Sequence, residues 1–199
     1  MSVKSILMTR DKFQSDDEYY IWHWLVIMER HGWLWKVIYE PEPFILFEGQ
    51  KLSSIIKTRR GKDKTITKTL LRETSYTPDF YFELNSKLHN VLYATEDSFA
   101  LNEKLPIIAC TENGYCFFEV KPSFDFKNMT RLVVDRIKWL YSRYKIYVNI
   151  IKCEDLFKVT FAPPEYYLTP SGKEKKGKHN PNNYKTYQQW SNLIQPLLK

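Results

Sequence analysis

The chain has 199 residues and a formal net charge of +7, from 30 Lys and Arg against 23 Asp and Glu. Its 43% hydrophobic and 16% aromatic content is enough to form a core and excludes an intrinsically disordered chain. The six glycines exclude a collagen-like or glycine-rich repeat protein. The length predicts one domain with additions, and the basic charge weakly favours a polyanionic partner.

No apolar run reaches the ~20 residues that a membrane span requires, because the longest candidate, residues 19–28, falls well short. Residues 1–10 lack the long apolar core of a signal peptide. We therefore expect a cytoplasmic protein without membrane contact. The cysteines are odd in number and lack C-x-x-C spacing, so three reduced thiols are expected rather than a disulfide framework or a zinc site. These cysteines are Cys110, Cys116 and Cys153.

The first predicted helix covers residues 14–30. Ser15 is a suitable N-cap, and Glu18 three residues later completes a capping box. Residues 19–28 are apolar on nearly every face, which predicts a helix buried in the domain. The helix is expected to end just before Gly32.

The next segments favour β-structure. Large apolar side chains recur at every second position from Trp33 to Tyr39, two prolines interrupt the segment, and an apolar run resumes at residues 44–47, which predicts one or two strands over residues 33–47. Residues 57–68 carry six cations against the single acid Asp63, with Gly61 at the turn, which predicts a basic hairpin or loop. Residues 76–84 predict a strand rich in aromatic side chains.

Residues 85–113 are irregular and mildly polar and are expected to form an insertion between strands. Residues 115–121 predict a strongly apolar strand. Residues 126–144 predict the clearest helix, because their apolar side chains recur at i, i+3 and i+4. Residues 145–152 predict a last strand. This order predicts an α/β protein with a small mixed β-sheet flanked by helices.

The composition changes after the two prolines at 163 and 164. Residues 169–185 are polar and rich in lysine and are expected to be loose, whereas residues 188–198 predict a short closing helix. We therefore divide the chain into a domain of residues 1–160 and a basic C-terminal extension of residues 161–199.

Two predicted strands carry charged residues in apolar surroundings. Asp79 follows Pro78 in one of them, and the other contains Glu119-Val120-Lys121. Buried acids and a buried lysine are costly unless something compensates their charge. The alternation of side chains along a strand puts Glu119 and Lys121 on the same face. If the two strands are neighbours, three charged groups meet at one edge of the sheet.

This set of residue types suits the hydrolysis of a phosphodiester. Two carboxylates bind a hard divalent cation such as Mg²⁺ through oxygen. The metal polarises a phosphoryl oxygen and lowers the pKa of a bound water. A nearby lysine orients or deprotonates that water and offsets the charge that develops on the phosphate.

The sequence Pro78-Asp79, followed by 39 residues and then Glu119-Val120-Lys121, resembles the PD-(D/E)xK nuclease superfamily. Over residues 14–152 it is most similar to small phage-encoded nucleases of the head-completion type and to transposon end-cleaving subunits, in which proline commonly follows the lysine, as in Lys121-Pro122. The resemblance implies a restriction-endonuclease-like core and an endodeoxyribonuclease that uses Mg²⁺, or Mn²⁺ in its place, and leaves a 5′-phosphate.

The resemblance also implies a role for each motif residue. Asp79 and Glu119 would bind the metal, with the backbone carbonyl of Val120 as a further ligand. Glu18 would complete the metal shell or hold a metal-bound water, and Lys121 would act on the attacking water. Cations in the basic hairpin and in the second long helix are the candidates for contact with DNA. They are Lys57, Arg59, Arg60, Lys62, Lys64, Arg136 and Lys138.

Other interpretations stay open at this point. Glu18 would be a capping residue and nothing more, and Glu119 with Lys121 would be an ion pair on a solvated strand. The protein would then be a non-catalytic nucleic-acid-binding or virion-assembly protein on the same fold. Alternatively, it would cut DNA only when a phage or transposition partner is present. We expect structure-selective or nonspecific cutting, and the oligomeric state is open, a dimer included.

Overall fold

The computed structural model describes residues 8–95, 108–111, 113–122 and 129–198. The α-helices are α1 (Asp16–Arg30), α2 (Met129–Tyr144), α3 (Cys153–Val159), α4 (Pro164–Tyr167) and α5 (Tyr187–Ile194). The first strands are β1 (Leu34–Tyr39), β2 (Phe44–Phe47), β3 (Gln50–Lys57), β4 (Asp63–Leu71) and β5 (Thr74–Tyr76). They are followed by β6 (Phe80–Leu84), β7 (Tyr93–Thr95), β8 (Ile108–Cys110), β9 (Tyr115–Val120) and β10 (Asn149–Ile151).

The central sheet has four strands in the order β1-β6-β9-β10. β6 runs antiparallel to both β1 and β9, whereas β10 runs parallel to β9. α2 lies between β9 and β10 in the chain, as a parallel pair requires a crossover connection. The prediction of an α/β protein with a small mixed sheet flanked by helices is confirmed.

α1 begins where the sequence predicts it. The side chain of Ser15 accepts a hydrogen bond from the backbone N–H of Glu18 at 3.1 Å, and the Ser15 hydroxyl donates to Oε1 of Glu18 at 2.9 Å. The body of the helix is buried, with Ile21, Trp24 and Leu25 fully inaccessible. The prediction of a buried helix is confirmed, and its packing against the sheet fixes the position of Glu18.

Two hydrophobic clusters cover the two faces of the central sheet. The larger one joins α1 to the inward side chains of β6 and β9, such as Phe82 and Phe118. The smaller one joins Phe117, on the opposite face of β9, to Val133 and Leu140 of α2. Since consecutive residues of β9 pack into different clusters, both faces of this strand are fixed.

The prediction of a single strand over residues 76–84 is wrong. Residues 77–79 separate β5 from β6, and β5 pairs with β2 in a sheet of its own. Pro78 has no backbone N–H to donate and therefore interrupts the ladder. Residues 33–47 form two strands as allowed, but β1 and β2 belong to different sheets.

The described part of residues 85–113 is more ordered than predicted. β7 and β8 form a parallel pair, and Leu88, Tyr93 and Ile108 are buried in the larger cluster. The expectation of an irregular, polar insertion is wrong for these residues, because their few apolar side chains close one end of the core. Residues 96–107 lie outside the described part of the chain.

The ends of two other elements also differ from the predictions. The last strand is Asn149–Ile151 rather than residues 145–152, and Lys145 has a positive φ of 56° that ends the preceding helix. α2 is described from Met129 onward. The predicted start of that helix at residues 126–128 lies outside the described residues.

Cys110 and Cys116 are joined by a disulfide, so the prediction of three reduced thiols is wrong for this pair. The two residues lie at the end of β8 and in β9, on either side of a turn, with their Cα atoms 4.9 Å apart. This spacing is within the range for disulfides. Cys153 remains a thiol and donates to the carbonyl of Asp17.

The residues after 160 pack into the same core as the rest of the chain. Phe161, Tyr166 and Trp190 belong to the larger cluster, and the indole of Trp24 donates to the hydroxyl of Thr160 at 3.1 Å. Lys175, in the segment expected to be loose, donates to carbonyl and hydroxyl oxygens. Among the described residues, no helix has the length and apolar character needed to cross a bilayer.

The turn before β9 requires glycine at position 114, which can be tested by substitution. This residue has a φ of +76°, and a Cβ there would lie 2.8 Å from the carbonyl oxygen of Leu84. Gly114→Ala should lower the free energy of unfolding by about 2–3 kcal/mol, since strain and overlap add. Gly61→Ala is the control: φ is also positive (+71°), but nothing lies within 4 Å, so only the left-handed strain of about 1 kcal/mol is expected. If urea denaturation finds the same loss in the free energy of unfolding for both variants, the packing described for Gly114 is contradicted.

Candidate active site

A polar cleft of about 560 Å³ opens where β6 begins and β9 ends. The segment before α1, the β1–β2 loop, β5 and α2 supply its other walls. Most of its lining groups are carboxylates, amides, hydroxyls and cations rather than apolar side chains. The lining residues are Gln14, Glu18, Glu40, Pro41, Pro43, Ser75, Tyr76, Thr77, Asp79, Glu119, Val120, Lys121 and Arg136.

Asp79 lies directly before β6, on the floor of this cleft. Its Oδ2 atom accepts a hydrogen bond of 2.6 Å from the backbone N–H of Val120. Phe80 pairs with Phe118 in the antiparallel ladder, so the residues at the end of each strand meet. The two sequence motifs are therefore brought together by a hydrogen bond between an acid of one and the backbone of the other.

Glu119 is the buried acid of the site, with 5% of its surface exposed. Its Oε1 atom lies 2.7 Å from Nζ of Lys121, and its Oε2 atom accepts a hydrogen bond of 2.8 Å from the hydroxyl of Tyr76. These contacts compensate the burial of the charge. They also agree with the prediction that Glu119 and Lys121 share a face, with Val120 in the core on the other.

The electrostatic environment of the cleft disfavours additional negative charge. Burial, followed by the negative charge of Glu119, raises the pKa of Asp79 to about 7, although the Val120 N–H and Lys121 act in the opposite direction. Burial and the same charge raise the pKa of the Tyr76 phenol, which therefore stays protonated and acts as a donor. A cation bound between the carboxylates would relieve this repulsion.

Glu18 lies in the same cleft and also has capping contacts. Its Oε1 atom accepts from Ser15, and its Oε2 atom accepts from the backbone N–H of Gln14 at 3.1 Å and from the hydroxyl of Tyr39 at 2.8 Å. Its charge contributes to the raised pKa of Asp79, which indicates that the two carboxylates interact. Capping and a role in the cleft are therefore compatible, and the metal-binding role of Glu18 stays a prediction.

The donor set suits Mg²⁺ better than a transition metal. Within the part of the chain that the structure describes, no group of three or more His, Cys, Asp or Glu side chains forms a complete metal site. Asp79 and Glu119 with the carbonyl of Val120 make a partial, all-oxygen set. Mg²⁺ usually takes one or two carboxylates and fills its shell with waters and substrate phosphates, so this set fits it.

The cations predicted to contact DNA lie in three different places. Arg136 lines the cleft, and its charge acts on Tyr76. Lys138 lies outside it, exposed on α2 and 3.7 Å from Asp135. The remaining candidates lie at the far end of the hairpin formed by β3 and β4, and all are exposed. They are Lys57, Arg59, Arg60, Lys62 and Lys64.

Two cleft residues, Tyr76 and Glu40, and their neighbour Tyr39, which donates to Glu18, were not assigned to the site from the sequence. Tyr76 was assigned only to an aromatic strand, and the signal that it belongs to the site is Pro78, which ends its strand beside Asp79. Tyr39 is the last residue of β1, and Glu40 follows it. The N–H of Glu40, whose φ is +47°, donates to the carbonyl of Asp79 at 2.9 Å. A left-handed conformation costs about 1–2 kcal/mol, and this contact holds it at the rim of the cleft.

Comparison of the chain with protein-family models, with curated proteins and with solved structures gave no match. The resemblance to the PD-(D/E)xK superfamily therefore stays a prediction from the motif residues.

The raised pKa of Asp79 predicts a stability cost in the metal-free protein. Because the folded pKa of about 7 exceeds the ordinary aspartate value of 3.8, the native state binds more protons, and stability falls as the pH rises between these values. In EDTA at pH 8, Asp79→Asn should raise the free energy of unfolding by about 1–3 kcal/mol, since one pKa unit corresponds to 1.36 kcal/mol and part of the carboxylate faces solvent. The gain should shrink at pH 4.5.

Glu42→Gln is the matched control, because Glu42 is an exposed carboxylate on the neighbouring loop. It should change stability little at either pH. A loss of stability in Asp79→Asn at pH 8 would contradict the electrostatic account of the cleft.

Proposed function

We propose that the protein is a metal-dependent endonuclease that hydrolyses phosphodiester bonds in DNA. One observation carries the proposal: Asp79, Glu119 and Lys121 meet in a single polar cleft although 39 residues separate the two acids in the sequence. Two carboxylates with a lysine beside them supply a cation site and a group that handles protons and charge.

The proposal includes a restriction-endonuclease-like core. The resemblance implies a helix before the core strands, followed after the lysine by a helix and a strand. α1, β1, β6, β9, α2 and β10 follow one another in that order, and these four strands are the ones that form the central sheet. The agreement in order supports the proposal independently of the motif residues.

Asp79, Glu119 and the carbonyl of Val120 are the groups that would hold Mg²⁺, and Glu18 would contribute from the opposite wall. Mn²⁺ has the same preference for oxygen and would substitute. When bound, the metal polarises a phosphoryl oxygen and lowers the pKa of a bound water. The Val120 N–H fixes Oδ2 of Asp79, so the other oxygen of this carboxylate would be the one that binds the metal.

Lys121 and Arg136 supply the positive charge on the protein side. The side chain of Lys121 is 21% exposed and reaches the cleft floor beside Glu119, where its ammonium group would orient the attacking water. Arg136 lines the cleft from α2 and would bind a non-bridging phosphate oxygen. Both cations would offset the charge that grows on the phosphate during attack.

The test is cleavage of duplex, single-stranded and branched DNA with Mg²⁺, Mn²⁺ or EDTA. Wild-type protein should cut only with metal. Asp79→Asn and Lys121→Met should each lower the rate by about 10²-fold or more, because each removes a group that acts on the reacting atoms. Lys87→Ala should cut at the wild-type rate, since Lys87 is exposed on a turn at the other end of β6. Circular dichroism would verify that each variant is folded.

Two outcomes would contradict the proposal. Cleavage that survives in both site variants would mean that the activity lies elsewhere or belongs to a contaminant. Folded wild-type protein that cuts none of these substrates would favour a non-catalytic nucleic-acid-binding function, or a nuclease that needs a partner.

Tyr76 offers a test of the metal site itself. Its hydroxyl fixes Oε2 of Glu119, and losing such a support for a ligand commonly costs 10–100-fold in metal affinity. Tyr76→Phe should raise the Mn²⁺ concentration for half-maximal cleavage by about tenfold, with the same shift in calorimetric Mn²⁺ binding. Tyr81→Phe is the control, because Tyr81 donates to Glu83 farther along β6. Equal behaviour of the two variants would exclude Glu119 as a ligand.

A further inference from the structure

β3 and β4 form an arm that stands out from the core. The strands pair from Gln50 opposite Leu71 to Lys57 opposite Asp63, and every residue of both is exposed. Eight residues at about 3.3 Å each give the arm a length of about 26 Å. Isolated two-stranded hairpins are only marginally stable in water. We therefore expect a binding partner to contact and stabilise an exposed arm of this length.

The charge of the arm identifies the kind of partner. Residues 50–71 contain one acid, Asp63, and none of their Lys or Arg side chains lies within 4.0 Å of a carboxylate in the described part of the chain. A surface of one sign over this length attracts a polyanion with regularly spaced charges. The cations are Lys51, Lys57, Arg59, Arg60, Lys62, Lys64 and Lys68.

The two faces of the arm differ in chemistry. Residues directly opposite in the ladder share a face, so Ser53 lies beside Thr67, and their hydroxyl oxygens are 3.0 Å apart. The same face carries Thr65 and Thr69. The other face carries Leu52 and Lys68 as a pair, with Ile56 and Ile66 on the same side. Ile55 also lies on the first face and Ser54 on the second, so hydroxyl groups predominate on one face and branched apolar side chains on the other.

We propose that the arm lies in the major groove of duplex DNA, with its hydroxyl-bearing face toward the base edges and its basic tip on the phosphates. The major groove of B-DNA admits a two-stranded β-ribbon, and Ser and Thr hydroxyls pair with any base. Affinity therefore comes mainly from phosphate contacts, with little sequence preference. The proposal rests on the proposed function in taking DNA as the substrate, and it adds how a duplex is held.

The same geometry predicts discrimination against RNA. A-form duplexes have a deep, narrow major groove that side chains do not enter, so the arm should not fit double-stranded RNA. The arm is joined to the cleft through β2 and β5, since Phe44 pairs with Tyr76, which lines the cleft. The arm is as long as about eight base pairs at 3.4 Å each. A DNA duplex must therefore extend beyond the cleft by about this length to contact the whole arm.

The experiment measures binding in EDTA, so it does not depend on catalysis. Fluorescence anisotropy would follow wild-type protein with a 30-base-pair DNA duplex and with the RNA duplex of the same sequence. Two variants add the same charge at adjacent positions on opposite faces: Thr65→Glu and Ile66→Glu. In a third variant, the shortened arm, the dipeptide Asn-Gly replaces residues 53–67. It forms a two-residue turn between Leu52 and Lys68, which already pair in the hairpin.

Wild-type protein should bind the DNA duplex at least about tenfold more tightly than the RNA duplex. Thr65→Glu should weaken DNA binding about tenfold or more, because it faces the groove, whereas Ile66→Glu should weaken it only about twofold. The shortened arm should bind at least about tenfold more weakly and lower the slope of log K against log salt by about 3 or more, as expected at about 0.9 per lost phosphate contact. Its melting temperature should match wild type, since the removed residues are exposed.

Several results would overturn the proposal. Unchanged DNA binding by the shortened arm would exclude the arm as a contact, whether or not the cleft cuts DNA. Equal losses in Thr65→Glu and Ile66→Glu, or tight binding of the RNA duplex, would exclude the major-groove arrangement. If sedimentation finds a dimer that Ile66→Glu alone dissociates, the arm is a protein–protein interface instead. If Asp79→Asn and Lys121→Met abolish cleavage but still bind DNA through the arm, the result supports both the proposed nuclease activity and the proposed role of the arm.

Discussion

The hydrogen bond from the Val120 N–H to Oδ2 of Asp79, 2.6 Å long, is the contact on which the cleft depends. It joins the residue before β6 to the last residue of β9, beyond the pair of Phe80 and Phe118 at which the ladder between these two strands ends. Without it, the carboxylate of Asp79, whose pKa is raised, would have no fixed position relative to Glu119. The backbone amide holds Asp79 in place, while Lys121 balances the charge of Glu119 and Tyr76 donates a hydrogen bond to it.

The hydrophobic clusters on the two faces of the sheet explain why this contact can persist. Phe118 and Val120 pack toward α1, while Phe117 packs toward α2, so β9 cannot rotate or slip without exposing large side chains on one face. Glu119 is buried because the apolar residues on either side of it in β9 are buried, although a carboxylate by itself favours water. The free energy that supports a buried carboxylate in the cleft is thus supplied by aromatic burial on both sides of one strand.

The parts of the fold that were predictable from sequence are those set by local pattern. The N-cap signal at Ser15 located α1, and the strongly apolar run of residues 115–120 located β9 with its charged end. The rest of the fold depends on contacts between segments that are separated in the sequence or joined by a turn. Such contacts place Tyr76 in a separate strand, join Cys110 to Cys116 and pair β7 with β8. The motif acids were found by their types and order, but the hydrogen bond that unites them is a tertiary contact with no signal in a single sequence.

The arm formed by β3 and β4 buries none of its residues, which has a consequence for how such a protein changes over evolutionary time. Substitutions there carry almost no penalty in core stability, whereas those in β9 disturb two clusters at once. The exposed hairpin is therefore able to drift, lengthen or be exchanged while the cleft beside Asp79 stays fixed. If the arm binds DNA as proposed, exchange of this hairpin between related chains would be a simple route to new targets for an unchanged cleft.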